Sequence, residues 1–367
     1  MTSKKKILHI IQSLGNGGCE NMLLRTLPLV SDFEHRVVTL KEPGELAPKF
    51  ISAGITVETV HYEHPLSLSG IHRLRETVRK KNPDIIITYL FHADMLGRLA
   101  LRGTTKAPIV PFLRTTYNHP RYQIARLFER LTKPLAWRYL ANSEAVKDFY
   151  IRHIGVAAEK ITVIPNGIDT ETFDHLTPDP ELRESLNLTP DDFVIICVAN
   201  LHPNKGHRYL LEAFESLWSK FPHIKLLLVG DGEERQSIEM MIRSSHSKNA
   251  IRLLGRRDDV PALLKLSHLF VLPTLFEGQS NAILEAMAAG IPVITTDIPE
   301  NRILITSNEN GLLVAPQNSP LLEESIRKIL LSIDSRNLFL TNSKEIIGKE
   351  FRIRSIAAKL SHFFASL

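Results

Sequence analysis

Cysteine is nearly absent from this chain: Cys19 and Cys197 are its two copies in 367 residues. They fall in different halves, so no disulfide framework is expected, which fits a reducing cytoplasm. Long hydrophobic runs are missing too. None approaches the roughly 18–20 apolar residues that a membrane span needs. The first residues, MTSKKKILHIIQSLGNGG, place lysines before an apolar run as a signal peptide does. That run breaks at Gln12 and Ser13 into a glycine loop, so it reads as a first strand instead. No short repeat or low-complexity tract occurs. Zinc-ligand spacing, a nucleophile elbow and an acidic motif for a catalytic divalent metal are all missing, so neither a metal nor a resident cofactor is expected.

What remains is ordinary globular composition, 43% hydrophobic and 23% charged. The length exceeds one typical core and points to two domains. Charge is uneven. Residues 1–170 carry 24 basic against 15 acidic side chains, net +9, and residues 171–367 carry 21 against 25, net −4. A basic half attracts an anionic partner. No nucleic-acid module accompanies it, so nucleic acid is not expected. A peripheral contact with an anionic membrane face and a plain solvated surface are the two readings left. The Arg73–Lys81 and Arg121–Lys133 runs carry the basic residues, the second with Tyr122, Leu127 and Phe128 for apolar contact.

Strand-like and helix-like segments alternate throughout, the pattern of an α/β fold with parallel sheets. Strands are expected at KILHIIQS, HRVVTL, ITVETV, DIIITYL, APIVPFL and ITVIP, then at FVIICVAN, IKLLLVG, AIRLLG, HLFVLPT and PVITT. Helices are expected between them, including 20–30, 71–81, 208–221, 233–244 and 261–266. The segment 164–180, rich in Pro, Gly, Asp and Thr, reads as the linker. This divides the chain into 1–168 and 169–350, each Rossmann-like, with a final amphipathic helix at 351–367. Ligands of such sheets bind outside the carboxyl ends of the strands.

The stretch 276–297, FEGQSNAILEAMAAGIPVITTD, is the richest in chemistry. Ser280 or Asn281 caps a helix that Gly290 and Pro292 end. Its N-terminus offers unpaired N–H groups and a positive dipole end, suited to phosphate. Glu277 before it and Glu285 within it, eight positions apart, place a carboxylate on each side of such a phosphate. A nucleotide sugar has that layout of ribose, diphosphate and hexose.

This signature, with Gly278, Asn281, Ala286 and Gly290 in place, resembles the donor site of the retaining GT-B glycosyltransferases of glycosyltransferase family 4, the glycosyl transferases group 1. The resemblance implies a GT-B fold, two Rossmann-like domains facing across a cleft, with the last helix completing the first, acceptor-side domain. It also implies that Glu277 faces the donor sugar and Glu285 holds the ribose. The donor would be a UDP-sugar, and the acceptor a glycan, a lipid-linked group or another hydroxyl. Lys205 in ANLHPNKGH matches the family's diphosphate lysine, whereas Asn200 stands where relatives carry arginine. Either His202 or Arg208 assists, or the donor binds more weakly. The resemblance further places Gly17 and Gly18 of GNGGCEN near donor phosphates and acceptor, and Gly255 and Arg257 beside the nucleotide base. In RTTYNHP relatives have a histidine at the register of Tyr117; His119 follows two positions later, and which of the two takes that role is open.

His92 in FHADMLGRLA has both a structural and a cleft-facing reading. Asp259 with Pro261 reads as a helix start needing no ligand. Two alternatives to a metal-independent retaining hexosyltransferase of polysaccharide or lipopolysaccharide synthesis stand beside it. One is a GT-B nucleotide-sugar epimerase, with a phosphorylase further off. The other is a nucleotide- or sugar-binding protein that has lost catalysis, which Asn200 and the altered RTTYNHP segment motivate.

Overall fold

Apolar runs make the central strands, because in a parallel sheet both faces are covered there. The computed structural model describes residues 4–62, 67–116 and 122–367. The chain divides into two compact units, Met1–Gly167 with Ile353–Leu367, and Ile168–Arg352.

Among the described residues the first unit holds β1 (Lys6–Ile11), β2 (Glu34–Thr39), β3 (Thr56–Thr59), β4 (Ile85–Tyr89), β5 (Ile109–Leu113), β6 (Tyr139–Ala141) and β7 (Ile161–Val163). They pair in the order β3-β2-β1-β4-β5-β6-β7, every pair parallel. The second holds β8 (Phe193–Val198), β9 (Ile224–Val229), β10 (Ile251–Gly255), β11 (Leu269–Leu272), β12 (Val293–Thr296) and β13 (Leu312–Val314). Their order is β10-β9-β8-β11-β12-β13, again all parallel. Winding therefore reverses between β1 and β4 in one sheet and between β8 and β11 in the other. At such a reversal the loops after two neighbouring strands run to opposite faces and leave a crevice for ligands.

Several elements differ from expectation for local reasons. The helix expected over 20–30 runs Gly18–Thr26 and tightens into a 3-10 turn at Leu27–Leu29, because Pro28 lacks the N–H an α-helix needs there. Strands β6 and β13 have three residues each, too short to leave a pattern. FHADMLGRLA, given no element in advance, forms most of a helix, Leu90–Leu101, entered through Leu90 at φ +64°. The final helix, Ile353–Ala365, lays Ile356, Leu360, Phe363 and Phe364 into the first unit's core beside Leu23, Leu27 and Phe33. Each such buried side chain contributes about 1.5–3 kcal/mol.

One polar cluster interrupts the first unit's core. Arg98 is wholly buried and its Nη2 donates to Asp94 Oδ2 at 2.7 Å and Glu129 Oε2 at 2.6 Å. Thr88 donates to the other Asp94 oxygen at 2.9 Å. Burial pushes the Asp94 carboxyl up, against the pull of Arg98. This cluster pins the helix Gln123–Thr132 to the helix Leu90–Leu101 through Glu129. Removing one partner of a buried ion pair leaves an uncompensated charge, so Arg98→Ala should lower unfolding free energy by about 3–5 kcal/mol in urea denaturation.

Candidate functional site

In the second unit the loops at the carboxyl ends of the strands are bonded to one another in the order of the sheet. Gly230, after β9, donates its N–H to Gly255 O at 2.8 Å. It has φ +138°, and a Cβ there would lie 2.0 Å from Ala199 O, so only glycine fits between the loops after β9 and β8. Leu201 N donates to Asp231 O at 3.1 Å, and Glu234 N to Leu201 O at 2.9 Å. His202 continues this bridge, with Nε2 3.2 Å from Glu233 Oε1 and Nδ1 2.5 Å from Asn204 Oδ1.

Asn204 then ties the loop after β8 to the loop after β11, across the winding reversal. Its carbonyl accepts from Leu275 N at 2.6 Å and Thr274 Oγ1 at 3.0 Å, while its Nδ2 donates to Phe276 O at 3.2 Å. Thr274 O in turn accepts from Thr296 Oγ1 at the end of β12. Buried Asn301 donates to Thr295 Oγ1 at 2.8 Å and Thr296 O at 3.0 Å. Gly206 completes the approach. At φ +67° it presses against β11's exit, where a Cβ would come within 2.2 Å of Pro273 O.

These bonds bring two predicted site residues together. Lys205 Nζ donates to Glu277 Oε1, and both side chains are largely shielded from water. Beyond Glu277 the chain passes buried Gly278 and Gln279 into the helix Asn281–Ala289. Of the two candidate caps the structure uses Ser280, whose Oγ accepts from Ile283 N at 3.4 Å. Asn281 is the first helical residue, and Glu285, partly buried, stands one turn further on the same helix face. Gly290 ends the helix at φ +78°. His207 lies buried at the start of the helix His207–Trp218; burial, then the Lys205 charge, lowers its pKa to about 4. It is therefore neutral near pH 7 and adds no repulsion to Lys205.

Other predicted residues sit apart from that pair. Asn200 is exposed in the loop after β8. Both candidate substitutes for the missing arginine have partners: His202 as above, and Arg208 against Tyr209, 4.5 Å over its ring. Gly255 ends β10 at φ +66°. Arg257 is engaged with Asp259, at 2.7 Å through Nε and 2.5 Å through Nη2. That hydrogen bonding holds the Asp259 carboxyl below its ordinary range. Asp259 occupies the N-cap position of the helix Val260–Leu266, but its side chain makes no capping bond because the guanidinium takes both oxygens.

The first unit presents a separate group at its own reversal. Gly17 is the N-cap of the helix Gly18–Thr26, where a Cβ would meet Glu20 Oε2 at 2.4 Å. Glu20 is buried, and that burial raises its pKa. Arg114 donates to Asn166 Oδ1 at 2.7 Å and lies 4.1 Å over the Phe112 ring. His92 is exposed. Tyr117 and His119 lie outside the described residues. Among the described residues no group of three or more His, Cys, Asp or Glu is placed to hold a metal.

Sequence reading passed over Asn204, Thr274, Thr296 and Asn301, the polar side chains that carry the Glu277 loop. Gly206 was the available signal, since a glycine directly after a cationic loop residue marks a close backbone approach. Gly206→Ala should cost at least about 1–3 kcal/mol from the left-handed backbone alone, measured by chemical denaturation.

Known proteins resemble the chain over nearly its whole length. Residues 21–172 match the family model described as Glycosyltransferase Family 4, and residues 178–346 that described as Glycosyl transferases group 1. The UDP-Gal:alpha-D-GlcNAc-diphosphoundecaprenol alpha-1,3-galactosyltransferase of Escherichia coli is 28% identical over 312 residues, 82% of this chain and 79% of that protein. The alpha-monoglucosyldiacylglycerol synthase of Acholeplasma laidlawii is 23% identical over 331 residues, 83% of this chain and 79% of that one. Among solved structures, Anabaena Alr3699/HepE in complex with UDP-glucose superposes with a TM-score of 0.87 at 25% identity, covering 99% of this chain and 100% of that one. WaaG, a glycosyltransferase involved in lipopolysaccharide biosynthesis, superposes with a TM-score of 0.79 at 18% identity, covering 97% and 99%.

Proposed function

Because the chain belongs to the GT-B glycosyltransferases, we propose that it moves a hexose from a UDP-sugar to a hydroxyl of a lipid-linked or glycan acceptor, with retention of configuration and without a metal. The observation that carries this reading is the Lys205–Glu277 pair, held beside the capped helix Asn281–Ala289 at the winding reversal. The HepE complex with UDP-glucose supports the donor class, and the two relatives that act on diphosphoundecaprenol and diacylglycerol compounds support a lipid-linked acceptor.

The chemistry follows from charge. Without donor, Lys205 is neutralised by Glu277. A diphosphate carries more negative charge than one carboxylate, so on binding it takes over the ammonium, and Glu277 is released to accept hydroxyl groups of the hexose. Glu285, one turn along the helix, accepts from the ribose hydroxyls. In the transfer step the C1–O bond to the diphosphate breaks and its electron pair stays on the phosphate. The acceptor oxygen bonds to C1, and its proton passes to the departing phosphate oxygen. Lys205 as a charge and the N–H dipoles at the positive end of the helix stabilise the departing charge, work that needs no metal.

Three measurements test this. Glu285→Ala should weaken UDP binding about ten- to hundredfold in calorimetry, the loss of one hydrogen bond to a charged group at about 1.5–3 kcal/mol. Unchanged affinity in a folded variant removes the ribose role. Glu277→Ala should leave UDP affinity undiminished, since it removes the carboxylate that competes for Lys205, while turnover drops; equal loss of UDP and UDP-sugar affinity at constant kcat reverses the two assignments. Turnover should persist in excess EDTA, and loss restored by manganese or magnesium would overturn the metal-independent reading.

A further inference from the structure

The helix Gln123–Thr132 is turned the opposite way from an ordinary surface helix. Its inward residues are Ala125, Glu129 and Thr132. Its outward residues are Ile124, Leu127, Phe128 and Leu131, exposed by 71%, 54%, 40% and 67%. A surface helix of a globular unit normally shows the reverse pattern. The cause is the buried cluster behind it. Glu129 accepts from Arg98 and also lies 3.4 Å from the Tyr150 hydroxyl. Rolling the helix to hide its leucines would strip Arg98 of that carboxylate in a buried site. The apolar face is thus held outward by an ion pair.

Charge says what the face meets. Within 123–133 the basic residues are Arg126, Arg130 and Lys133, and the one acid, Glu129, is buried. Arg130 Nε donates to His153 O at 2.8 Å, and Lys133 Nζ to Gly155 O at 2.7 Å. Those acceptors are neutral carbonyls, so both positive charges remain at the rim of the patch. Asp148 nearby in sequence is paired with Arg152. Trp137, 63% exposed just beyond the turn Lys133–Leu135, adds a side chain suited to the boundary of water and lipid. The Arg73–Lys81 run offers nothing equivalent. Lys81 pairs with Glu58, and that helix buries Leu74 and Val78 instead of turning them outward.

We propose that the outer face of Gln123–Thr132, with Trp137, docks the protein on an anionic lipid bilayer. The helix lies in the plane of the interface, its apolar residues at the acyl boundary and Arg126, Arg130 and Lys133 among the headgroups. A bilayer fits better than a protein groove because the face combines large aliphatic side chains with a rim of one charge sign. This surface stands independently of the donor reading, since binding to vesicles needs neither donor nor turnover.

The test is sedimentation of the full-length protein with vesicles of phosphatidylcholine, alone and mixed with phosphatidylglycerol, together with light scattering in the absence of lipid. Wild type should bind the mixed vesicles strongly and the neutral ones weakly, with the bound fraction falling as salt screens the rim charges. Trp137 emission should shift to the blue on binding, and the shift should vanish in Trp137→Phe. Leu127→Glu with Phe128→Glu should abolish binding while the circular dichroism spectrum and UDP affinity stay as in wild type. Equal binding by that double variant, or by wild type to both vesicle types, overturns the proposal. So does a dimer in solution that the same variant dissociates, which would assign the face to a second copy of the chain. No vesicle binding at low salt overturns it as well.

Discussion

Reversal of winding between β8 and β11 is the constraint on which the candidate donor site depends. Neighbouring strands there send their chains to opposite faces of the sheet, so the two loops part and leave their polar ends without secondary-structure partners. The protein fills that gap with a bonded strap: Asn204 to Leu275 and Phe276, Thr296 to Thr274, Asn301 to Thr295 and Thr296. Buried polar groups are stable only when satisfied, and a satisfied network is stiff. Lys205 and Glu277 stand on that stiff base, which is how two flexible side chains from residues 72 positions apart hold one geometry.

The pairing of Lys205 with Glu277 also describes how a polyanion would be received. An ammonium shielded from water without a partner is costly, and the carboxylate removes that cost. Exchange of one anion for another is then close to balanced in desolvation, and the net gain comes from the additional phosphate oxygens and the helix N–H groups. Neutral His207 adds no further positive charge beside Lys205.

In the first unit the same physics of buried charge has another consequence. The Asp94–Arg98–Glu129 cluster contributes little to net stability compared with an apolar replacement, but it dictates orientation. Glu129 can satisfy Arg98 only if Ile124, Leu127, Phe128 and Leu131 face away. Polar groups in the core and apolar groups on the surface are two sides of one arrangement. The basic residues counted in this half are likewise not equivalent: Lys81 is paired with Glu58 on a helix that buries Leu74 and Val78, while Arg130 and Lys133 flank a helix whose apolar side chains face outward.

Sequence by itself determined the features that repeat locally. Period and composition marked the strands as buried parallel ones, FEGQSNAILEAMAAG marked a capped helix with two carboxylates eight apart, and Lys205 in ANLHPNKGH marked a cationic loop after a strand. These were legible because capping, strand burial and glycine geometry act over a few residues. Tertiary structure decided the rest. Whether Lys205 meets Glu277, that Arg257 turns to Asp259 rather than outward, and that the helix Gln123–Thr132 shows its leucines to solvent all depend on partners distant along the chain or on competition between them. The hydrophobic pattern of that helix is an ordinary amphipathic one. Which side of it faces in was set by a single buried arginine, 31 residues away from Glu129, and no local pattern carries that information.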